Sequence, residues 1–371
     1  MQLGKEMKVV ITVKAPGKLY IAGEYAVVET GFPSIIVALD QFVTVQIEKS
    51  ESFGKIISKQ YSEDYVSWRR NGDQMILDTR DNTFNYILSA IKLTEQYAQS
   101  LGRAMSVYNL KVNSDLDSPN GKKYGLGSSA AVTVATIRAL CEFYDLPLSK
   151  NQLFKLSAIA HFDVQGNGSL GDIAASVYGG WIAYNSFDRD WLSSARKSTT
   201  LQDLINQKWP GLKIKQLTPP SNLKLLIGWT GSPASTSHLV DKVMFHKGEN
   251  QQENEKYLKF LADSRKCLED LIKGFENRQL SEIQNGIQKN RQILNDLAQF
   301  TKVKIETPTL KKMCDIAIKH EAAAKSSGAG GGDCGIVIIN KDKDVSNLLS
   351  EWEKSGITSL PLNVHEVLDI K

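Results

Sequence analysis

Lys123-Tyr124-Gly125-Leu126-Gly127-Ser128-Ser129-Ala130 leads into residues 130 to 144, a small and aliphatic run suited to a buried helix. Upstream, residues 106 to 112 alternate apolar and polar side chains as a strand does. A strand, a glycine turn and a helix form the implied unit. Two glycines let the backbone approach a ligand closely, and the free N–H groups at a helix N-terminus, with its dipole, suit phosphate oxygens. No Gly-Lys-Ser/Thr stands at the spacing of a Walker A loop. Taken alone, the segment also reads as a tight turn with a serine cap, so its neighbours must decide.

Towards the N-terminus, residues 9 to 13 and 34 to 47 read as strands, the second interrupted by Asp40 and Gln41. Residues 52 to 80 lack a helical period, and Asn71-Gly72 marks a hairpin. Phe84, Ile87, Leu88 and Ile91 have the spacing of an amphipathic helix that continues to Ser100. Towards the C-terminus, residues 152 to 161 read as a helix and 166 to 171 as a loop. Residues 189 to 222 are polar, carry Trp209-Pro210-Gly211 and Thr218-Pro219-Pro220, and read as a surface excursion or domain connection. A strand over 223 to 229 follows, then helical patterns over 251 to 276, 280 to 299 and 309 to 325. A glycine loop, a strand over 335 to 340 and a terminal helix and strand complete the chain. The expected class is α/β of the α+β type, in two domains of residues 1–221 and 222–371.

A length of 371 residues, at about 150 per domain, also suggests two domains. Lys and Arg total 45 against 41 for Asp and Glu, and 42% of residues are apolar, which excludes a disordered or collagen-like chain. The net charge of +4 is far from that of a nucleic-acid binder. Small-molecule partners are expected, with no nucleic acid and no membrane; monomer and dimer both stay open. Cys141, Cys267, Cys314 and Cys334 form no CxxC pair, which argues against a disulfide framework or zinc knuckle and for a reducing compartment. Residues 1 to 7 lack the apolar core of a signal peptide, and no run of about 18 apolar residues follows, so a soluble cytoplasmic protein is expected.

Two further segments accompany the central loop: Lys14-Ala15-Pro16-Gly17-Lys18-Leu19-Tyr20-Ile21-Ala22-Gly23-Glu24-Tyr25-Ala26-Val27-Val28, and Lys325-Ser326-Ser327-Gly328-Ala329-Gly330-Gly331-Gly332-Asp333-Cys334-Gly335. In this order the three resemble the motifs of the GHMP kinase superfamily of galacto-, homoserine, mevalonate and phosphomevalonate kinases. The resemblance spans residues 14 to 335. It implies an N-terminal domain with a nucleotide-binding glycine loop (125–130), a C-terminal domain, and a site between them that takes ATP and Mg²⁺. The wording of 123–129, with Ile227-Gly228-Trp229-Thr230 and Ser235-Thr236-Ser237-His238, is most similar to bacterial phosphomevalonate kinases, which implies (R)-5-phosphomevalonate as the phosphoryl acceptor. Mevalonate as acceptor, diphosphomevalonate decarboxylation and a non-catalytic sensor are the alternatives. The family commonly has a proline four residues before the glycine-serine core, where this chain has Gly121.

The resemblance also implies roles. Asp172 follows a glycine-rich loop, where an isolated Asp is more often a cap or turn residue; by similarity it is the catalytic base, paired with Lys18. Phosphoryl transfer is mainly positioning and charge stabilisation, so a carboxylate near the attacking oxygen and a cation near the transferred group fit the chemistry. A phosphate acceptor is already anionic, and then Asp172 orients Lys18 or substrate more than it removes a proton. Lys123, Tyr124, Gly125, Leu126, Gly127, Ser128 and Ser129 are implied to hold nucleotide, with Ser129 also on the metal. His161 stands where mevalonate kinases have a metal-holding Glu; histidine suits hard Mg²⁺ poorly, and it reads as structural. Substrate candidates are Glu24 and Ser169, Ser327 and Gly328 in the last glycine loop, and Ser235, Thr236, Ser237 and His238 at a helix start, where a capping cluster is the alternative. Lys14 shares a strand face with Lys18 and faces substrate or solvent. Arg291 points inward or lies on a solvated helix face. Tyr86, Trp181 and Trp229 read as core, not as an adenine shelf.

Overall fold

Strands β1 (Val10–Ala22) and β2 (Pro33–Ser50) form the long antiparallel pair on which the first half of the molecule is built. In the computed structural model, which describes residues 9–58, 65–78, 84–117, 122–232, 236–245 and 251–365, β1 does not stop at Val13. It runs on through Pro16 and Gly17, where a register shift against β2 takes up the irregularity. Proline fits here because among the described residues β1 pairs with β2 alone and its other edge makes no ladder.

The hairpin expected at Asn71-Gly72 joins β4 (Tyr65–Asn71) to β5 (Gln74–Leu77), with Gly72 at φ +58°. With β3 (Gly54–Ser58), β6 (Val107–Ser114), β7 (Trp181–Asn185) and β8 (Lys213–Leu217) they form an eight-stranded sheet in the order β5-β4-β3-β6-β2-β7-β8, β1 lying on β2. The β3–β6 pair is parallel. Helix α2 (Ser128–Phe143) packs on β1 and β2 and between α1 (Asn85–Ser100), α3 (Lys150–Gln165) and α4 (Gly171–Tyr178). Its buried Ala130, Ala131, Ala135 and Ala139 let these elements approach closely.

Residues 189 to 222 are not a surface excursion. They contain α5 (Arg189–Ala195), α6 (Leu201–Asn206) and β8, an edge strand of the large sheet. Trp209 anchors them: its indole stands edge-on to Phe187 at 4.6 Å, and its N–H donates to the Leu204 carbonyl at 2.9 Å. Burial of one large aromatic outweighs the polar composition around it.

The second half begins with β9 (Leu223–Trp229), followed by α7 (Thr236–Phe245), α8 (Gln251–Glu276) and α9 (Leu280–Thr301), the last two packed together. Helix α10 (Pro308–Lys319) starts with a Thr307 cap and Pro308 in its first turn. It ends six residues earlier than the helical pattern suggests, because Glu321 enters the left-handed region at φ +58° and turns the chain into β10 (Ala323–Ser326). With β11 (Cys334–Asn340), α11 (Ser346–Lys354) and β12 (Thr358–Leu360) this completes an antiparallel sheet in the order β10-β11-β9-β12. The chain then returns to the first sheet: the His365 N–H donates to Ala38 O at 2.9 Å, and Gly180 N–H to His365 O at 2.7 Å. A continuous core spans both halves, with a smaller cluster around Trp352 and Met313 beneath the second sheet.

Candidate active site

The glycine loop lies where the two halves meet. Gly125 and Gly127 both have φ +79°, a conformation costly for any residue with a Cβ. Space is equally restrictive, since a Cβ on Gly125 would stand 2.6 Å from the Asp333 carboxylate and one on Gly127 2.9 Å from Lys18 Cε. Lys18 N–H donates to Leu126 O at 2.8 Å, and its ammonium to Gly125 O at 3.2 Å. Strand β1 therefore clamps the loop from one side while the 327–333 loop closes it from the other. Gly127 caps α2 without a side-chain hydrogen bond, which leaves the first N–H groups of the helix to a ligand.

These elements surround a cavity of about 370 Å³. Lys18, Ser128, Ser129, Ser169 and Asp172 all line it. Asp172 sits in the first turn of α4, its carboxylate accepting the Ile173 N–H at 3.0 Å. Leu170, just before it, is buried with φ +62°, a strained backbone at the point where Asp172 and Ser169 are aimed. Tyr20 stands between Lys18 and Ser169: its hydroxyl and that of Ser169 are 2.7 Å apart, and the Lys18 ammonium lies 5.6 Å from its ring centroid. Burial, reinforced by the charge of Asp172, raises the Tyr20 phenol far above its ordinary value, so Tyr20 stays protonated.

Ser129 Oγ is 3.1 Å from His161 Nε2. Burial holds His161 below the usual imidazole range, against the opposing pull of Asp172. Glu24 and Ser327 line the cavity, as does Gly328. Glu24 forms a buried ion pair with Lys325, and Ser327 Oγ donates to Tyr20 O at 2.8 Å. Gly125, Leu126, Gly127 and Lys123 are on the wall too.

Other expectations are corrected. Lys14 is exposed, with its ammonium over the Phe42 ring and outside the cavity, so of substrate and solvent it faces solvent. Arg291 faces neither cavity nor open solvent: it is largely buried and bound to Glu306 at 2.7 and 2.8 Å and to Asp315 at 3.2 Å. Tyr124 packs edge-on against Trp229 at 5.0 Å instead of lining the cavity. Tyr86, expected in the core, is on the cavity wall and stacks on His161. Trp181 is buried against Phe275, in the core as expected. Ser235 and Gly121 lie outside the described residues. Thr236, Ser237 and His238 form the start of α7, and their side chains are likewise outside them.

Tyr20, Tyr86, Lys325 and Asp333 escape the sequence reading as site residues. Tyr20 carries a legible signal, since it is two residues from Lys18 on one strand and shares its face. Nothing local in Tyr86 or Lys325 reveals a position set by packing between distant elements. Among the described residues no group of three or more His, Cys, Asp or Glu side chains is gathered as a metal site, and no helix is long and apolar enough to cross a membrane.

Residues 85–180 match the model of the GHMP kinases N terminal domain, and residues 271–358 that of the GHMP kinases C terminal domain. A phosphomevalonate kinase of Streptomyces sp. (strain CL190) is 34% identical over 94% of this chain and 95% of its own length. A mevalonate kinase of Methanocaldococcus jannaschii is 26% identical over 93% and 96%. The structure of Streptococcus pneumoniae phosphomevalonate kinase in complex with phosphomevalonate and AMPPNP superposes with a TM-score of 0.83, at 29% identity, covering 95% of this chain and 99% of that one.

Proposed function

The chain belongs to the GHMP kinases, and from that premise we propose that it transfers the γ-phosphate of ATP to (R)-5-phosphomevalonate, giving (R)-5-diphosphomevalonate and ADP in the mevalonate route to isoprenoids. The observation that carries the acceptor is the full-length likeness to phosphomevalonate kinases, at 34% identity, together with a solved relative holding phosphomevalonate and AMPPNP. The division into residues 1–221 and 222–371 belongs to the same proposal and is supported by the change of sheet between Leu217 and Leu223. A cytoplasmic location fits four free, buried cysteines.

In this proposal the glycine loop and the N-terminus of α2 hold the ATP phosphates through backbone N–H groups, with Lys123 beside them. Lys18 supplies positive charge where the phosphoryl group passes. A phosphate monoester has its second pKa near about 6, so the acceptor oxygen is already anionic at neutral pH and needs no base. Asp172 then acts on Lys18 and on the donors around Ser169 and Tyr20, keeping them oriented towards two anions that must be brought together. Glu24, Ser327 and Gly328 line the acceptor side. The oxygen donors on the wall, Ser129, Ser128 and Asp172, suit Mg²⁺, which favours oxygen and keeps much of its shell as phosphate and water. Ser129 and Asp172 would hold it, and Mg²⁺ would supply charge neutralisation to the nucleotide phosphates.

The deciding experiment is ADP release from MgATP with mevalonate, phosphomevalonate or diphosphomevalonate at matched concentration. Turnover confined to phosphomevalonate is expected. Turnover with mevalonate alone would keep the ATP site and replace the acceptor, and inorganic phosphate with CO₂ from diphosphomevalonate would identify a decarboxylase.

A further inference from the structure

His161 is on α3 and fully buried, yet one face of its ring stacks on the cavity residue Tyr86, with ring centroids 4.9 Å apart and planes 29° apart. Nε2 is 3.1 Å from Ser129 Oγ, while Nδ1 has no hydrogen-bond partner among the described residues. A neutral imidazole carries one N–H. Leaving it buried without an acceptor costs more than leaving a bare ring nitrogen there, so the proton belongs on Nε2. Nε2–H then donates to Ser129 Oγ. One lone pair of that oxygen is taken, and the hydroxyl hydrogen must point elsewhere. Among the described residues Ser129 Oγ has no hydrogen-bond partner besides His161 Nε2 to take that hydrogen. The open direction is the cavity, which Ser129 lines.

We infer that His161 is a positioning residue that fixes the rotor of Ser129, so that Ser129 donates its hydroxyl hydrogen to a phosphate oxygen of the nucleotide. This rests on the cavity being a nucleotide site. It assigns Ser129 a direct bond to phosphate that needs no cation, whereas a serine serving only the metal matters only when Mg²⁺ is present. The imidazole also backs Tyr86, so the same ring supports both the serine and the wall beside it.

The test is calorimetric binding of AMPPNP, once with Mg²⁺ and once with EDTA, to wild type, Ser129→Ala, His161→Gln and His161→Asn. A glutamine amide nitrogen takes the place of Nε2; an asparagine amide nitrogen takes that of Nδ1. Binding is expected to weaken about tenfold in Ser129→Ala and His161→Asn under both conditions, as for loss of a hydrogen bond to a charged group. His161→Gln is expected to stay within about threefold of wild type, and Ser129→Ala/His161→Asn to lose no more than either single variant. Equal effects of Gln and Asn, additive losses, or a loss seen only with Mg²⁺ would overturn the inference. Independently of variant folding, long-range ¹H–¹⁵N spectra of wild type should show the Nε2–H tautomer of His161; the Nδ1–H tautomer would overturn it. Absence of AMPPNP binding to wild type would instead remove the nucleotide reading on which it stands.

Discussion

Glu24, just beyond β1, and Lys325, in β10, are 301 residues apart in sequence and form an ion pair whose side chains are almost wholly removed from solvent. The Lys325 ammonium also donates to Ser326 O at 2.6 Å, while the second Glu24 oxygen has no partner among the described residues. The pair joins the loop after β1 to the root of the last glycine loop, and Glu24 lines the cavity between them. Its attraction is set against the desolvation of two charges, so removing one partner leaves the other buried and uncompensated. Lys325→Met should lower stability by about 3–5 kcal/mol in urea unfolding, and Glu24→Gln/Lys325→Met should recover part of that. A loss under about 1 kcal/mol for the single variant would mean that the pair does not hold the two halves.

Lys18→Met and Asp172→Asn should each lower kcat by at least about 10²-fold while thermal melting stays near that of wild type, because both side chains line the cavity and neither is in the core. Near-normal kcat in either variant would withdraw that residue from phosphoryl transfer.

Gly127→Ala meets both a φ of +79° and the Lys18 side chain at 2.9 Å, whereas Gly102→Ala meets a φ of +72° with open space around it. Both should lose stability of about 1 kcal/mol. The KM for ATP should rise about tenfold only in Gly127→Ala, and an equal rise in the two would disconnect the loop geometry from nucleotide binding.

Arg291→Met leaves the Glu306 carboxylate buried without its partner, so about 3 kcal/mol of stability should be lost with KM values for both substrates unchanged. Lys14→Ala should leave both stability and kinetics near wild type, since its ammonium is exposed over Phe42. A raised acceptor KM in either variant would return that residue to the substrate site.

Burial pushes the thiols up, to about 12 for Cys141 and Cys314 and about 11 for Cys267, with Cys334 higher still. The native protein at pH 8 should therefore resist iodoacetamide, and the urea-unfolded chain should take four labels by mass spectrometry. Unfolded thiols ionise near about pH 8.5, so the unfolded state sheds protons first as pH rises. The stability held by the protonated thiols is complete below that pH and is lost as pH climbs through the folded values. The urea midpoint should fall between pH 8 and pH 10; a flat profile would contradict buried, protonated thiols.

Most elements were legible because their causes are local. Gln152 and Ser149 form a capping box at the start of α3, Asn71-Gly72 makes a hairpin, and the apolar spacing after Phe84 makes α1. Trp209 misled, since the polar residues around it conceal that three aromatic rings wait to bury it. Arg291 misled likewise: a helix pattern shows a polar residue, not that Glu306, in the loop before α10, will bind it and draw it largely out of solvent.

The order of residues was enough to establish the glycine loop before α2, the Lys18 and Asp172 segments and the family they belong to, because each depends on backbone freedom or side-chain chemistry within a few consecutive residues. Tertiary structure alone decided that Tyr20 stands between Lys18 and Ser169, that His161 holds Ser129 and rests on Tyr86, and that Lys325 belongs to Glu24 and not to solvent. Those pairings join groups that sequence separates by up to 301 residues, and only burial in a shared core makes leaving any of them unpartnered costly enough to choose them.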